Sequence, residues 1–152
     1  MTGLWLFGYA CLTIITGAIL ATAGVLAWFI ADRGLPVDVK ETTVLTPVVR
    51  PGSKLVIRQR LGCLRNCSAY IDRALFDAQM HRVILPAVRY ERPPQGLGPR
   101  TITFTVTVRE EFGPGAGEYR AALEYHFNPL QRHYWSITRA QNVVRFQIER
   151  RS

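Results

Sequence analysis

Residues 101–108 read Thr-Ile-Thr-Phe-Thr-Val-Thr-Val, an unbroken alternation of hydroxyl and apolar side chains. Successive side chains of a strand point to opposite faces, so Ile102, Phe104, Val106 and Val108 share one face and the threonines share the other. Threonine is β-branched and suits a pleated, half-wet surface. The stretch is therefore a strand with one face in a core and one in water. It sets the expectation that the surrounding chain is built the same way.

Toward the C-terminus, a glycine- and proline-rich turn, Phe112 to Gly117, leads into a second alternating run. Tyr119, Ala121, Leu123, Tyr125 and Phe127 lie on one face, with Arg120, Glu124 and His126 opposite, and Asn128-Pro129 ends the run. A last strand places Val144, Phe146 and Ile148 inward and Arg145, Gln147 and Glu149 outward. Toward the N-terminus, Val83 to Leu85 is a short candidate and Ser68 to Phe76 a longer one. Lys54 to Leu61 alternates Leu55, Ile57 and Leu61 against Val56, Arg58 and Arg60, after a Pro51-Gly52-Ser53 turn. Thr42 to Val49, broken at Pro47, suits an edge strand.

No sustained helical period occurs between Asp32 and Ser152, so about seven short strands with turn signals predict an all-β, immunoglobulin-like β-sandwich. Gly117-Glu118-Tyr119 resembles the tyrosine corner of such domains, in which the phenol ties back to nearby backbone. Ala121 stands where an antibody domain carries its second cysteine.

The first charged side chain is Asp32. Leu4 to Ala31 is apolar or small throughout, and about 20 helical residues suffice to cross a ~30 Å hydrocarbon core. The expected organisation is a transmembrane helix over residues 1–31, a linker over 32–41 and a sandwich domain over 42–152. A cleaved signal peptide is the rival reading, with Ala21-Thr22-Ala23 as its site. It lacks a basic leading segment, and the apolar run continues through Trp28, Phe29 and Ile30. Trp5 and Trp28 stand near the two ends, where amphipathic rings favour the membrane interfaces. Gly17, Ala21 and Gly24 fall on one helix face and form a candidate helix-packing surface.

The 152 residues are 48% hydrophobic, and 19 Lys plus Arg against 11 Asp plus Glu leave a net charge of +8. Such a chain is neither disordered nor long enough for a two-lobed enzyme. All of the basic residues follow Ala31, and all but Lys40 and Lys54 are arginines. Arg58, Arg60 and Arg65 cluster around one strand and its loop, and Arg145, Arg150 and Arg151 mark the C-terminal end. This basic surface makes anionic lipid head groups the nearest partners of a tethered domain. Nucleic acid is not expected, because no recognition motif interleaves with the arginines.

Cys63 and Cys67 invite a disulfide, or stand as two free thiols near a strand end. Two soft ligands at that spacing, with Met80 and His81 some way off, do not complete a metal site. His81, His126 and His133 are scattered, Asp72 and Asp77 lack a paired-carboxylate pattern, and no catalytic or nucleotide-binding motif is present. No catalytic residue, metal or cofactor is expected, and the chain reads as a binding protein and not an enzyme.

The layout of a short membrane helix, an immunoglobulin-like domain, Pro114-Gly115-Ala116-Gly117-Glu118-Tyr119, then Tyr125-His126-Phe127-Asn128-Pro129-Leu130 and Trp135-Ser136-Ile137 resembles small single-pass membrane proteins of tailed-phage and prophage genomes. The resemblance covers the last two strands and the general layout. In that group a cysteine commonly precedes the Asn-Pro and is expected to pair with one in an earlier strand. Phe127 stands there in this chain, which leaves Cys63 and Cys67 only each other.

The resemblance implies an envelope protein that contacts a host or virion component. The alternative is an accessory structural subunit whose helix packs against a larger membrane complex. Arg33 and Lys40 after the helix favour a cytoplasmic domain by the positive-inside bias. The β-sandwich on an N-terminal anchor and the cysteine pair outweigh them and place it in the periplasm.

Overall fold

The computed structural model describes residues 2–150. With no polar face to bury or expose, the N-terminal stretch forms one continuous helix, α1 (Thr2–Ala31). Over Trp5–Ala31 it is long and apolar enough to cross a membrane. Two of its mid-helix threonines turn their polarity inward: the Thr13 and Thr22 hydroxyls donate to the Tyr9 and Ala18 carbonyls, both at 2.8 Å, so neither of these needs an outside partner. The helix ends at Ala31, shortly before Gly34-Leu35-Pro36, a glycine and a proline that disfavour its continuation.

Contacts divide the chain into two units, one ending at Gly34 and the other beginning at Leu35. Among the described residues the second unit holds eight strands: β1 (Val37–Val44), β2 (Val48–Val49), β3 (Lys54–Cys63), β4 (Ser68–Phe76), β5 (Arg82–Tyr90), β6 (Gly98–Thr107), β7 (Gly115–His126) and β8 (Ile137–Ile148). A short helix, α2 (Pro129–His133), lies between β7 and β8. Asn128 caps it by accepting the Gln131 N–H at 2.9 Å, the usual N-cap arrangement with proline at the first helical position.

The strands form two sheets, one in the order β1-β3-β6 and one in the order β2-β8-β7-β4-β5. All neighbours are antiparallel except β2 and β8. The register puts Val37, Cys63 and Gly98 level in the first sheet, and Ala69, Tyr90 and Tyr125 level in the second. This proximal end, where the chain enters β1, also carries the β3–β4, β5–β6 and β7–β8 connections. The distal end carries the β2–β3, β4–β5 and β6–β7 connections and the end of β8.

Alternation explains the core. Leu55 and Ile57 of β3 and Val106 of β6 face Leu75 of β4, Tyr119 of β7 and Val144, Phe146 and Ile148 of β8 in one buried cluster shared by both sheets. The threonines of β6 stay exposed. A smaller cluster of Cys67, Tyr125 and Ile137 lies at the proximal end, where Arg139 of β8 donates to the Val37 carbonyl of β1 at 2.9 Å and so ties one sheet to the other.

Several boundaries differ from the sequence reading. Part of the expected linker over 32–41 is strand: Val37 and Val39 alternate with Asp38 and Lys40, and the charges simply occupy the wet face of β1. The stretch from Thr42 to Val49 divides at Pro47, which passes the chain from the edge of one sheet to the edge of the other. The candidate at Val83 to Leu85 runs on to Tyr90 through Pro86, because β5 is an edge strand and proline costs it no ladder partner on the open side. Tyr119 makes no corner. It sits within β7, between Leu75 and Val144, and is buried.

Candidate functional site

The distal half between the sheets is packed, and the proximal half is not. A cavity of about 370 Å³ lies there. Its walls are Val39 and Leu61 from the first sheet, Ile71 and Leu123 from the second, and Phe104 of β6, with residues 93–96 of the β5–β6 connection completing them. Small side chains make the space: Ala69 on β4 and Ala121 on β7 face it where larger residues would close it. Val39, Leu61, Ile71, Phe104 and Leu123 keep intermediate exposure although they point inward, because they face this space.

Polar groups enter this apolar space from strand positions that share a face with core residues. Arg73 follows Ala69 and Ile71 on β4, Arg100 precedes Ile102 and Phe104 on β6, and Gln59 lies between Ile57 and Leu61 on β3. Arg73 is oriented by the Pro86 carbonyl, which accepts from its Nε at 3.2 Å and its Nη2 at 2.6 Å. It also donates to the Tyr119 phenol, which burial nonetheless pushes above its ordinary value, and not enough is regained from the arginine to reverse that. The Tyr119 ring meets Phe104 across the sheets with centroids 5.8 Å apart.

Arg100 reaches the Leu97 carbonyl with Nη2 at 2.9 Å. Its Nε is buried and unpartnered. Tyr125, 1% exposed, also lines the cavity, and its hydroxyl is buried without a partner. Burial pushes that phenol up to about 12, against the pull of Arg139. Tyr125 and the two arginines are the functional candidates that sequence reasoning missed. The signal was present: an arginine on the inward-facing period of a strand.

Cys63 closes β3 and Cys67 immediately precedes β4, so the two thiols belong to different sheets. Both are buried, line the cavity and are unbonded in the structure, where the sequence invited a disulfide. Burial, then the neighbouring Cys63, pushes the Cys67 thiol up, with Arg65 opposing. Such a thiol is a poor nucleophile at neutral pH.

The expected basic surface is not one patch. Arg58 and Arg60 lie on the outer face of β3, Arg60 paired with Glu41 at 3.6 Å. Arg65 stacks over the Phe127 ring at 4.4 Å, at the proximal end. Arg145 projects from β8 and pairs with Glu118 at 3.2 Å, and Arg150 follows β8 at the distal end. Arg151 lies outside the described residues. Gly17, Ala21 and Gly24 all fall within α1, and nothing approaches within 4 Å of a Cβ placed at Gly17 or Gly24. Asp77 and His81 pair in the β4–β5 turn, away from His126 at the end of β7 and His133 in α2. Among the described residues no three His, Cys, Asp or Glu side chains gather as a metal site.

No protein-family model matches the chain, and no curated protein does. Solved structures that resemble it do so in part. They include the alkylpurine DNA glycosylase AlkC of Pseudomonas fluorescens bound to DNA containing an abasic site analog, with 12% identity over 77% of this chain and 31% of that one and a TM-score of 0.46. The beta-glucosidase from Listeria innocua is similar at 12% identity over 74% of this chain and 16% of that one, with a TM-score of 0.47. The C-terminal domain of wzt is similar at 8% identity over 78% of this chain and 77% of that one, with a TM-score of 0.49. The chain thus spans less than a third of the first two proteins, and likeness at these scores transfers neither activity nor partner.

Proposed function

We propose that the chain is a membrane-anchored binding protein of phage- or prophage-envelope type, with α1 crossing the bilayer once and an immunoglobulin-like sandwich presented on the periplasmic side. The observation that carries the anchor is α1 itself, which is apolar on every side and has no buried side chain among those described. A helix that is hydrophobic all round needs an apolar surrounding, and a hydrocarbon layer supplies it at the right thickness. The strand order supports the immunoglobulin-like reading: the chain passes between the two sheets at β2–β3, β3–β4, β5–β6 and β6–β7, and splits its first strand between them. A binding role is supported by loops gathered at one end of the two sheets, where Arg65, Tyr134 and Trp135 stand exposed.

The second reading is an accessory subunit of a larger membrane complex. It is favoured by the open face at Gly17 and Gly24, against which a partner helix could close. Isolation of the full chain in mild detergent, with identification of bound proteins, separates the two. A virion or host surface protein bound through the β-domain supports the first. Co-purification with a membrane complex, lost on Gly17→Ile or Gly24→Ile, supports the second. Recovery of the full chain in the soluble fraction after cell lysis overturns both.

A further inference from the structure

The two ends of the β-domain differ in chemistry. At the proximal end Leu64, Leu97, Tyr134 and Trp135, drawn from all three connections, are each more than half exposed. Among the described residues, the distal connections over 50–53, 77–81 and 108–114 expose no large apolar side chain other than Met80. Charge divides the same way. The proximal connections carry Arg65, Arg92 and Arg132 against Glu91, and the distal ones carry Arg50 and Arg109 against Asp77, Glu110 and Glu111. Exposed apolar side chains gathered at one end, with polar groups around them, mark an interaction surface. Tryptophan and tyrosine favour the head-group level of a bilayer, where one edge of the ring is apolar and the other wet, and arginine suits phosphate.

The chain also enters the domain at this end. Residues 32–36 alone separate α1 from β1, a reach of roughly 20 Å even when fully extended. The Leu64 N–H donates to the Pro36 carbonyl at 2.8 Å, which fixes the entering chain against the β3–β4 connection. A tether this short makes contact with a bilayer an intramolecular step at high effective concentration.

We propose that the proximal end of the β-domain docks on an anionic bilayer surface, with Leu64, Leu97, Tyr134 and Trp135 in the head-group layer and Arg92 and Arg132 donating to lipid phosphates. Such docking gives the loops of the binding reading a partner, and it rests on α1 spanning the bilayer. Arg132 meets Glu91 at 3.3 Å, but both side chains are more than half exposed there, and an exposed pair is weak enough to exchange for phosphate. The acidic residues of the distal connections are repelled by the same surface, so charge selects which end approaches it.

The test is fluorescence of the full chain in phosphatidylcholine nanodiscs, with and without phosphatidylglycerol, containing a lipid with a nitroxide on its upper acyl chain. The chain holds three tryptophans, so Trp5→Phe with Trp28→Phe leaves Trp135 as the reporter. Trp5→Phe with Trp135→Phe leaves Trp28 to report α1. Met80→Trp with all three native tryptophans changed to Phe reports the distal end. In anionic discs Trp135 should be quenched by the nitroxide lipid and shielded from aqueous acrylamide, whereas the Met80→Trp reporter should be unquenched by lipid and open to acrylamide. Omitting phosphatidylglycerol or adding salt should release Trp135. Arg92→Gln with Arg132→Gln should shift the balance toward the undocked form by roughly fivefold for each arginine, and both positions are exposed, so the β-sheet circular dichroism should not change. Trp135 open to acrylamide while Trp28 remains quenched would overturn the docking and leave the anchor intact. Trp28 unquenched by lipid would overturn both. Trp135 shielded from acrylamide but unquenched by lipid would mean that protein covers it. Quenching of both ends alike, or quenching indifferent to phosphatidylglycerol, salt and the arginines, would mean that no end or no charge is selected. Each of these three results overturns the proposal.

Discussion

The carboxylate of Asp77 accepts the backbone N–H of Gly113 at 3.3 Å, joining the β4–β5 turn to the β6–β7 connection. The same side chain, wholly buried, also accepts the N–H groups of Gln79 and His81, each at 2.9 Å, and meets His81 Nδ1 at 2.9 Å. It closes a turn in which Met80 takes a φ of 64°, a left-handed conformation uncommon for a side chain of that size. One acidic residue thus organises the distal end of the fold. Replacing it by alanine would leave buried N–H groups without an acceptor, at a cost of about 2–4 kcal/mol. Thermal melting of the full chain in detergent, followed by the β-sheet circular dichroism signal, should show Asp77→Ala melting well below the wild type and Asp77→Asn in between.

Acid should weaken the same turn. Burial raises the Asp77 pKa, but the hydrogen bonds from His81, Gly113 and Gln79 together outweigh it and hold the carboxyl below its ordinary value. A carboxyl depressed in the folded state contributes stability that is complete above its unfolded value, about 4, and is lost as pH falls through the folded value. Wild-type melting should therefore be insensitive to this group near neutral pH and fall on the acid side of the unfolded carboxylate value. In Asp77→Ala that part of the acid dependence should disappear. An equally steep acid slope in the variant would show that other groups carry it.

Gly117 lies beneath the Phe146 ring, where a Cβ would come within 2.6 Å of Cζ and 2.7 Å of Cε2. Phe146 is buried in the shared core and has little room to retreat. Gly117→Ala should cost about 1–3 kcal/mol, the range for overpacking a well-filled interior. Gly117→Ala combined with Phe146→Leu should recover part of it. A purely additive double mutant would argue that the ring is not the cause.

The cavity should accept added volume. Ala121 lines it and is nearly buried, so Ala121→Val should fill space without displacing packed atoms and raise stability by about 0.5–1 kcal/mol. A lower melting temperature for this variant would mean that the space is not available to a side chain on β7.

Buried thiols should react slowly. In a Cys11→Ser background, Cys63 and Cys67 should resist a maleimide under native conditions and label rapidly in urea, since both are less than a tenth exposed. Fast native labelling would contradict their burial. For the same reason these cysteines cannot report which side of a membrane the β-domain occupies. An exposed substitute on the wet face of β6, such as Thr105→Cys, is the appropriate probe.

The strands were legible where one face is wet and the other buried. Val106 and Val108 are buried and the intervening Thr107 exposed, as the alternation of residues 101–108 requires. The start of β1 was not legible because Asp38 and Lys40 read as a polar linker, although charges on alternate positions are what a wet face carries. β5 was cut short because Pro86 is a strand breaker everywhere except an edge, and edge position is a property of the sheet, not of the residue. The cavity is further from the sequence still. It arises because Ala69 and Ala121, small residues on different strands, are brought to one space by pairing that spans many residues of chain. The arginines at 73 and 100 read as surface charge in composition, and only their parity with Ile71 and Ile102 says otherwise.

Because β2 and β8 run parallel, the chain enters the first of them and leaves the second in the same direction. Their joint is made by Gln147 donating to the Pro47 carbonyl at 2.8 Å and Glu149 to the Val49 carbonyl at 2.9 Å. Tension drawn between the start of β2 and the end of β8, once β1 has parted from β3, pulls these two strands past each other lengthwise, so that both hydrogen bonds are loaded together. β2, the shortest strand among the described residues, would then resist by shear in the manner of a latch.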